Sequence, residues 1–196
     1  MKKTLLVCGI VAIIAVGIGI LLLKYGNATS VAPTAAPLIT NNFSDVPKDA
    51  QLLANLKAAT LDALSSEGAA LHIHQHLDIV INNQTITIPA EIGIGSNFIS
   101  PLHVHDTTGV LHVESPVIKD FTLGQFFTEW GVTLSDTCIG SYCVDQNHKL
   151  IVAVNGNPIQ RPQNLVLKAH DEIEIWYGDV KINPNLIKSY AFASGL

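Results

Sequence analysis

Six of the eight histidines fall between residues 72 and 112, in two alternating runs. The first is His72-Ile73-His74-Gln75-His76. The second is His103-Val104-His105, and His112 and Glu114 follow with the same spacing of two. Imidazole is a borderline-soft donor that suits Zn²⁺, Cu²⁺, Ni²⁺ or Fe²⁺. In an extended strand, residues two apart share a face, with Cα atoms about 6.5–7 Å apart. His-x-His therefore offers two donors to one side of a sheet, and a paired strand can supply a third. Imidazoles crowded this way repel one another when protonated, and a bound metal ion holds them neutral and ordered. The expected cofactor is a transition metal, copper or zinc. The preferred ligands are His103, His105 and His112, supported by Glu114. His74 and His76, with His72 beside them, either complete that site or form a second one. Asp78 and Asp106 are candidates to orient the imidazoles, although Asp106 also suits the start of a turn and Asp78 a wet strand face. The bland reading of the histidine runs is the same wet face. His148 and His170 read as surface or turn residues.

These donors need strands, and the local pattern supplies them. In LHIHQHLDIVI, Ile73, Leu77, Ile79 and Ile81 fall on one face and His72, His74, His76 and Asp78 on the other. Asn82-Asn83 is a two-residue hairpin turn, because Asn tolerates positive φ; it pairs Ile79 with Ile86 and Leu77 with Ile88. In LHVHDTTGVLHVE, a four-residue loop Asp106–Gly109 sets His105 opposite Val110 and His103 opposite His112. Leu102, Val104, Leu111 and Val113 then share the apolar face. A three-residue loop would scramble both faces, so the hydrophobic pattern selects the first register. Asp49 to Ser66 reads as a helix ended by Gly68. Thr122 to Trp130 reads as a second, with Thr122 and Gln125 as a capping box, Phe121 against Phe126 as a staple and Gly131 as C-terminal cap. Two strands follow, 150–154 closed by Asn155-Gly156, and 172–177 entered through His170-Asp171. Helix, hairpin, hairpin, helix, strand, strand is the order of an α+β domain, a mixed sheet covered on one face by the Thr122 helix.

The chain has 196 residues, with 11 Lys+Arg against 16 Asp+Glu. Thr4 to Leu23 carries no charge and is bracketed by Lys2, Lys3 and Lys24. Twenty such residues at about 1.5 Å rise span about 30 Å, the thickness of a bilayer's hydrocarbon core. Basic residues ahead of the span hold the N-terminus in the cytoplasm and place the rest outside. The expected location is a single-pass cell-membrane protein with residues 1–25 as anchor. The alternative is a cleaved signal peptide, whose apolar core is shorter and whose cleavage site is small-x-small; Ser30-Val31-Ala32 is the candidate, followed directly by Pro33. Cys8 sits inside the apolar run and reads as a small apolar residue. Residues 26–48, rich in Ala, Thr, Pro and Asn, read as a flexible linker, residues 49–178 as the histidine-rich domain, and 179–196 as a tail. Asn27-Ala28-Thr29, Asn42-Phe43-Ser44 and Asn83-Gln84-Thr85 fit the glycosylation pattern and agree with an outside location. There, Cys138 and Cys143 are expected to form a disulfide; the alternative is a pair of soft metal ligands. The acidic balance argues against nucleic-acid binding, which needs basic patches to displace counterions.

VNGNPI followed by LVLKAHDEIEIWYG resembles the C-terminal half of β-grasp domains, in which an aspartate enters the last strand. That resemblance implies a β-grasp-like sheet with the second histidine hairpin inserted. A wider pattern comprises His72-x-His74-x-His76-Leu77-Asp78-Ile79, His103-x-His105-Asp106, Gly109 through Pro116, and Thr122 through Gly131. It resembles a family of uncharacterised exported or membrane-anchored bacterial and archaeal proteins, over residues 65 to 178. The resemblance implies no reaction. Three readings follow. One is a tethered, outward-facing module that handles copper or zinc. Another is a three-histidine metalloenzyme, hydrolytic or oxygen-using, with Glu114 or Glu91 as general base. The last is an interaction domain for another envelope protein. No nucleophile triad, phosphate loop or dinucleotide fingerprint is present.

Overall fold

The longest strand, β1 (Leu71–Ile81), carries pairing partners along both edges. In the computed structural model, which describes residues 35–37 and 39–196, it sits at the centre of a mixed sheet. Asn82 and Asn83, at φ 52° and 63°, turn the chain into β2 (Gln84–Ile86), with Ile79 opposite Ile86. The expected pair Leu77–Ile88 does not form. The Leu77 N–H instead donates to the Gly109 carbonyl, so another loop holds that stretch of the edge. That loop belongs to the hairpin of β3 (Leu102–His103) and β4 (Val110–Ser115), and β4 pairs antiparallel with the first half of β1. On the other edge β1 runs parallel to β9 (Glu172–Asp179). Next to β9 lies β7 (His148–Val154), which Asn155-Gly156 turns into β8 (Asn157–Ile159). The order across the sheet is β3-β4-β1-β9-β7-β8, with β2 also on β1. A separate small hairpin, β5 (Cys138–Ile139) and β6 (Tyr142–Cys143), carries a disulfide between its directly paired cysteines.

Alternation divides the sheet. The apolar residues of β1 join Leu102, Leu111, Val113, Ile173 and Ile175 in one apolar cluster with two helices. Helix α2 (Leu123–Trp130) begins at Thr122, whose side chain accepts the Gln125 N–H while Gln125 accepts the Thr122 N–H. It ends at Gly131 in the left-handed region, and buries Leu123, Phe126, Phe127 and Trp130. Helix α1 (Asp49–Ala59) packs on α2, so the apolar face is covered by two helices, not one. The expected helix over 49–66 is too long. Thr60 takes the left-handed conformation at φ 57° and returns its N–H to the last carbonyls. Leu61 then drops into the core, and Leu64 bridges Ile99.

Two boundaries also differ from expectation. The linker expected over 26–48 is already docked at its C-terminal end. The Gly131 carbonyl accepts the N–H groups of Thr40 and Asn41, Trp130 donates its indole N–H to Asp45, and Phe43 packs on Trp130. This segment covers the C-terminal end of α2. The tail expected from 179 is not free either. Ile187 donates its N–H to Glu174, Tyr190 stacks on His76, and Phe192 packs on His170. The tail thus covers part of the sheet's polar face. The apolar segment 4–23 lies outside the described residues, and among those described no helix is long and apolar enough to cross a membrane.

Candidate metal centre

The strand register builds a row of imidazoles. His103 on β3 is opposite His112 on β4, and His112 is opposite His74 on β1. One step along, His72 on β1 is opposite Glu114 on β4. All project from the face opposite the helices, because each alternates with the apolar residues of its own strand. His105 lies two residues past the end of β3. The strand ends before it, so the expected pairing of His105 with Val110 is not made within the ladder. The ring of His105 still reaches the row, 4.8 Å from the His103 ring and 4.6 Å from the His112 ring. His74 and His112 ring centres are 4.5 Å apart, and His72 and His74 are 4.8 Å apart.

Two glycines let these strands close up. A Cβ at Gly93 would lie 2.3 Å from the Leu102 carbonyl and 3.0 Å from the His103 Cβ. At Gly109 it would lie 2.7 Å from the Leu77 carbonyl. Both residues also have φ near +80°, where a side chain is strained.

The hydrogen bonds determine where the lone pairs point. His103 is fully buried, and its Nδ1 lies 3.0 Å from the Ser100 carbonyl. A carbonyl only accepts, so Nδ1 carries the proton and Nε2 presents its lone pair. That Nε2 is buried and has no hydrogen-bond partner. His112 places Nδ1 3.0 Å from the Glu114 carboxylate, which sets a ring nitrogen and a carboxylate oxygen side by side. His72 Nε2 is 3.2 Å from His74 Nε2 and 3.2 Å from the same carboxylate oxygen. Burial holds His103 down to about 3, although its bond to Ser100 opposes this, and neighbouring imidazoles add to the depression. Burial first, then the His112 and His72 rings, hold His74 down to about 4. Burial first, then His105 and His72, hold His112 at about 4. These rings are neutral at physiological pH, the state that binds metal.

Two overlapping sets bring candidate ligand atoms within 4.8 Å of one another. They are His72, His74, His112 and Glu114, and His103, His105, His112 and Glu114. Six of the seven predicted ligands thus converge, and His76 does not join them. Its Nδ1 is 2.8 Å from Glu172 and 3.5 Å from Asp78, its Nε2 donates to the Thr108 carbonyl at 2.8 Å, and Tyr190 lies flat on its ring at 3.7 Å. Burial pulls the His76 pKa down, but the Glu172 bond and charge, Thr108 and Asp78 together raise it above its usual value. His76 is buried against Glu172, whose carboxyl burial also pushes up, and it groups with Asp78 and Glu172 in a third set.

Asp78 serves His76, not the row. Asp106 caps its own turn by accepting from Thr108. Glu91 is on the surface, paired with Lys48 at 2.9 Å, and is no general base for this cluster. His148 binds Asp145, and His170 contacts the Leu196 carbonyl. One acidic neighbour was not anticipated. Glu67 lies 3.4 Å from His105 Nε2 and 4.0 Å from His103 Nε2. No periodicity marks it. It arrives because Leu64 bridges Ile99 and the Ala70 N–H bonds the Ser115 carbonyl, which lays residues 64–70 beside both histidine strands. The cluster opens into clefts beside the tail. One of about 420 Å³ is lined by His105, Asp106, His112 and Tyr190, among others. Another, of about 410 Å³, is lined by His72, His74 and His170. No protein-family model matches the chain, and neither a curated protein nor a solved structure does.

Proposed function

We propose that this chain is a membrane-tethered, outward-facing domain that binds copper or zinc through the cluster of His72, His74, His103, His105, His112 and Glu114 and serves in metal handling. The observation that carries the reading is the buried Nε2 of His103. It is a neutral lone pair with no partner, in register with His112 and His74. A buried polar atom without a bond costs about 1–3 kcal/mol, and a metal ion removes that cost. The tether rests on the uncharged segment Thr4–Leu23 and its flanking lysines, and the outward location agrees with the Cys138–Cys143 disulfide. The order β2-β1-β9-β7-β8 with a parallel central pair supports a β-grasp-like arrangement, with β3 and β4 as the insertion. The cleft lined by His105 and His112 is what a metalloenzyme would use; turnover of a substrate at the loaded centre would favour that second reading.

Elemental analysis of the full-length chain, purified in detergent, tests the proposal. Copper or zinc is expected at one or more ions per chain. The double substitution His103→Ala with His105→Ala should weaken binding at least tenfold. Unchanged metal content in that variant would remove the ligand assignment.

A further inference from the structure

The cluster contains more donors than one ion uses. A zinc or copper ion in nitrogen and oxygen donors takes about four, whereas five imidazoles and the carboxylates Glu114 and Glu67 meet here. The donors also spread to two sides of a shared pair, His112 and Glu114. On the β1 side, His72 Nε2, His74 Nε2, His112 Nδ1 and Glu114 Oε1 face one another, with Glu114 3.0 Å from His112, 3.2 Å from His72 and 4.0 Å from His74. On the β3 side, His103 and His105 both turn Nε2 toward Glu67, and their rings flank His112 at 5.2 and 4.6 Å. His112 is the central strand's contribution to both sides. Since its Nδ1 faces Glu114, its Nε2 is the nitrogen left for the second side.

We propose that the cluster is a two-ion centre in which the ring of His112 bridges one ion held by His72, His74 and Glu114 and another held by His103, His105 and Glu67. Each ion then has four donors, three imidazole nitrogens and one carboxylate. The shared ring binds one ion through each nitrogen, so loading both releases the ring's proton to solvent. The inference rests on the metal-binding reading above and adds the count, the division of ligands and the bridge.

Full-length chain in detergent, stripped with a chelator and titrated with Cu²⁺, provides the test. Two ions per chain are expected. Each of the pairs His72→Gln with His74→Gln and His103→Gln with His105→Gln should lower the count from two to one. At one equivalent the copper gives a full paramagnetic resonance signal; at two, coupling through the ring should reduce the signal per ion. His112→Gln should restore full intensity to whatever copper remains. A wild-type count of one would overturn the two-ion centre and leave metal binding standing. A count of two with additive signals would overturn the bridge. A count of zero would overturn this inference and the metal-binding reading together. Because the wild-type count and signal need no substitution, a variant that fails to fold leaves the test intact.

Discussion

His76 and His103 are both buried histidines with opposite chemistry, because of what their second nitrogen meets. His103 bonds one carbonyl and leaves Nε2 bare. His76 has a carboxyl group on one nitrogen and a carbonyl on the other, so neither nitrogen is left bare. Removing one partner of a buried hydrogen-bonded pair strands the other, at a cost of about 1–3 kcal/mol. His76→Ala is therefore expected to lower stability by about 1–3 kcal/mol while leaving metal content unchanged, read by urea denaturation and elemental analysis of the same sample. Loss of metal in a folded His76→Ala protein would return His76 to the cluster. The HxHxH run marks three histidines on one face, and that was readable. Which of them would bind metal and which would bind Glu172 was not, because the choice depends on a strand nearly a hundred residues later.

At the level of elements, hairpins and caps were the most legible features. The β3–β4 register followed from the sequence because a one-residue slip would have turned Leu102, Val104, Leu111 and Val113 away from the core. Helix α2 was readable from its cap, since Thr122 and Gln125 satisfy each other's backbone N–H groups. Thr122→Ala should cost about 1 kcal/mol, a fall of about 2–4 °C in Tm for a domain of this size, with no change in metal content; a scanning calorimeter measures it. The end of α1 was not readable. Leu61 and Leu64 continue the apolar pattern past Ala59, but they are spent on the core and on the Ile99 bridge after the helix has stopped. The β5–β6 hairpin and the docked strap at 40–46 carry no periodic pattern at all. They form around particular bonds, the Cys138–Cys143 disulfide and the Gly131 carbonyl.

The whole molecule carries the pH dependence of the metal-stripped protein. His74, His103 and His112 sit at about 4, 3 and 4 in the fold against 6.5 when exposed. Between those values the unfolded chain binds more protons than the native one, so stability falls as pH drops from 6.5 toward 4 and levels off below the folded values. His76 has the opposite sign. Its contribution is complete below 6.5 and is lost as pH rises through its elevated folded value, so it does not cancel the acid loss. Stability from urea denaturation across pH 4 to 7 should decline by about 3 kcal/mol for each of the three rings as an upper bound, and His103→Gln should make the decline shallower; a stability independent of pH in that window would contradict neutral burial of the rings. The sequence by itself determined the strand faces, the histidine hairpin, the α2 caps and the acidic, α+β character of the domain. These depend on alternation and on turn chemistry over a few residues. Only the tertiary structure decided that β4 lies against β1, that Glu67 reaches His105, and that the tail seals His76. Each of those contacts joins segments far apart in the chain, and local periodicity carries no information about which edges meet.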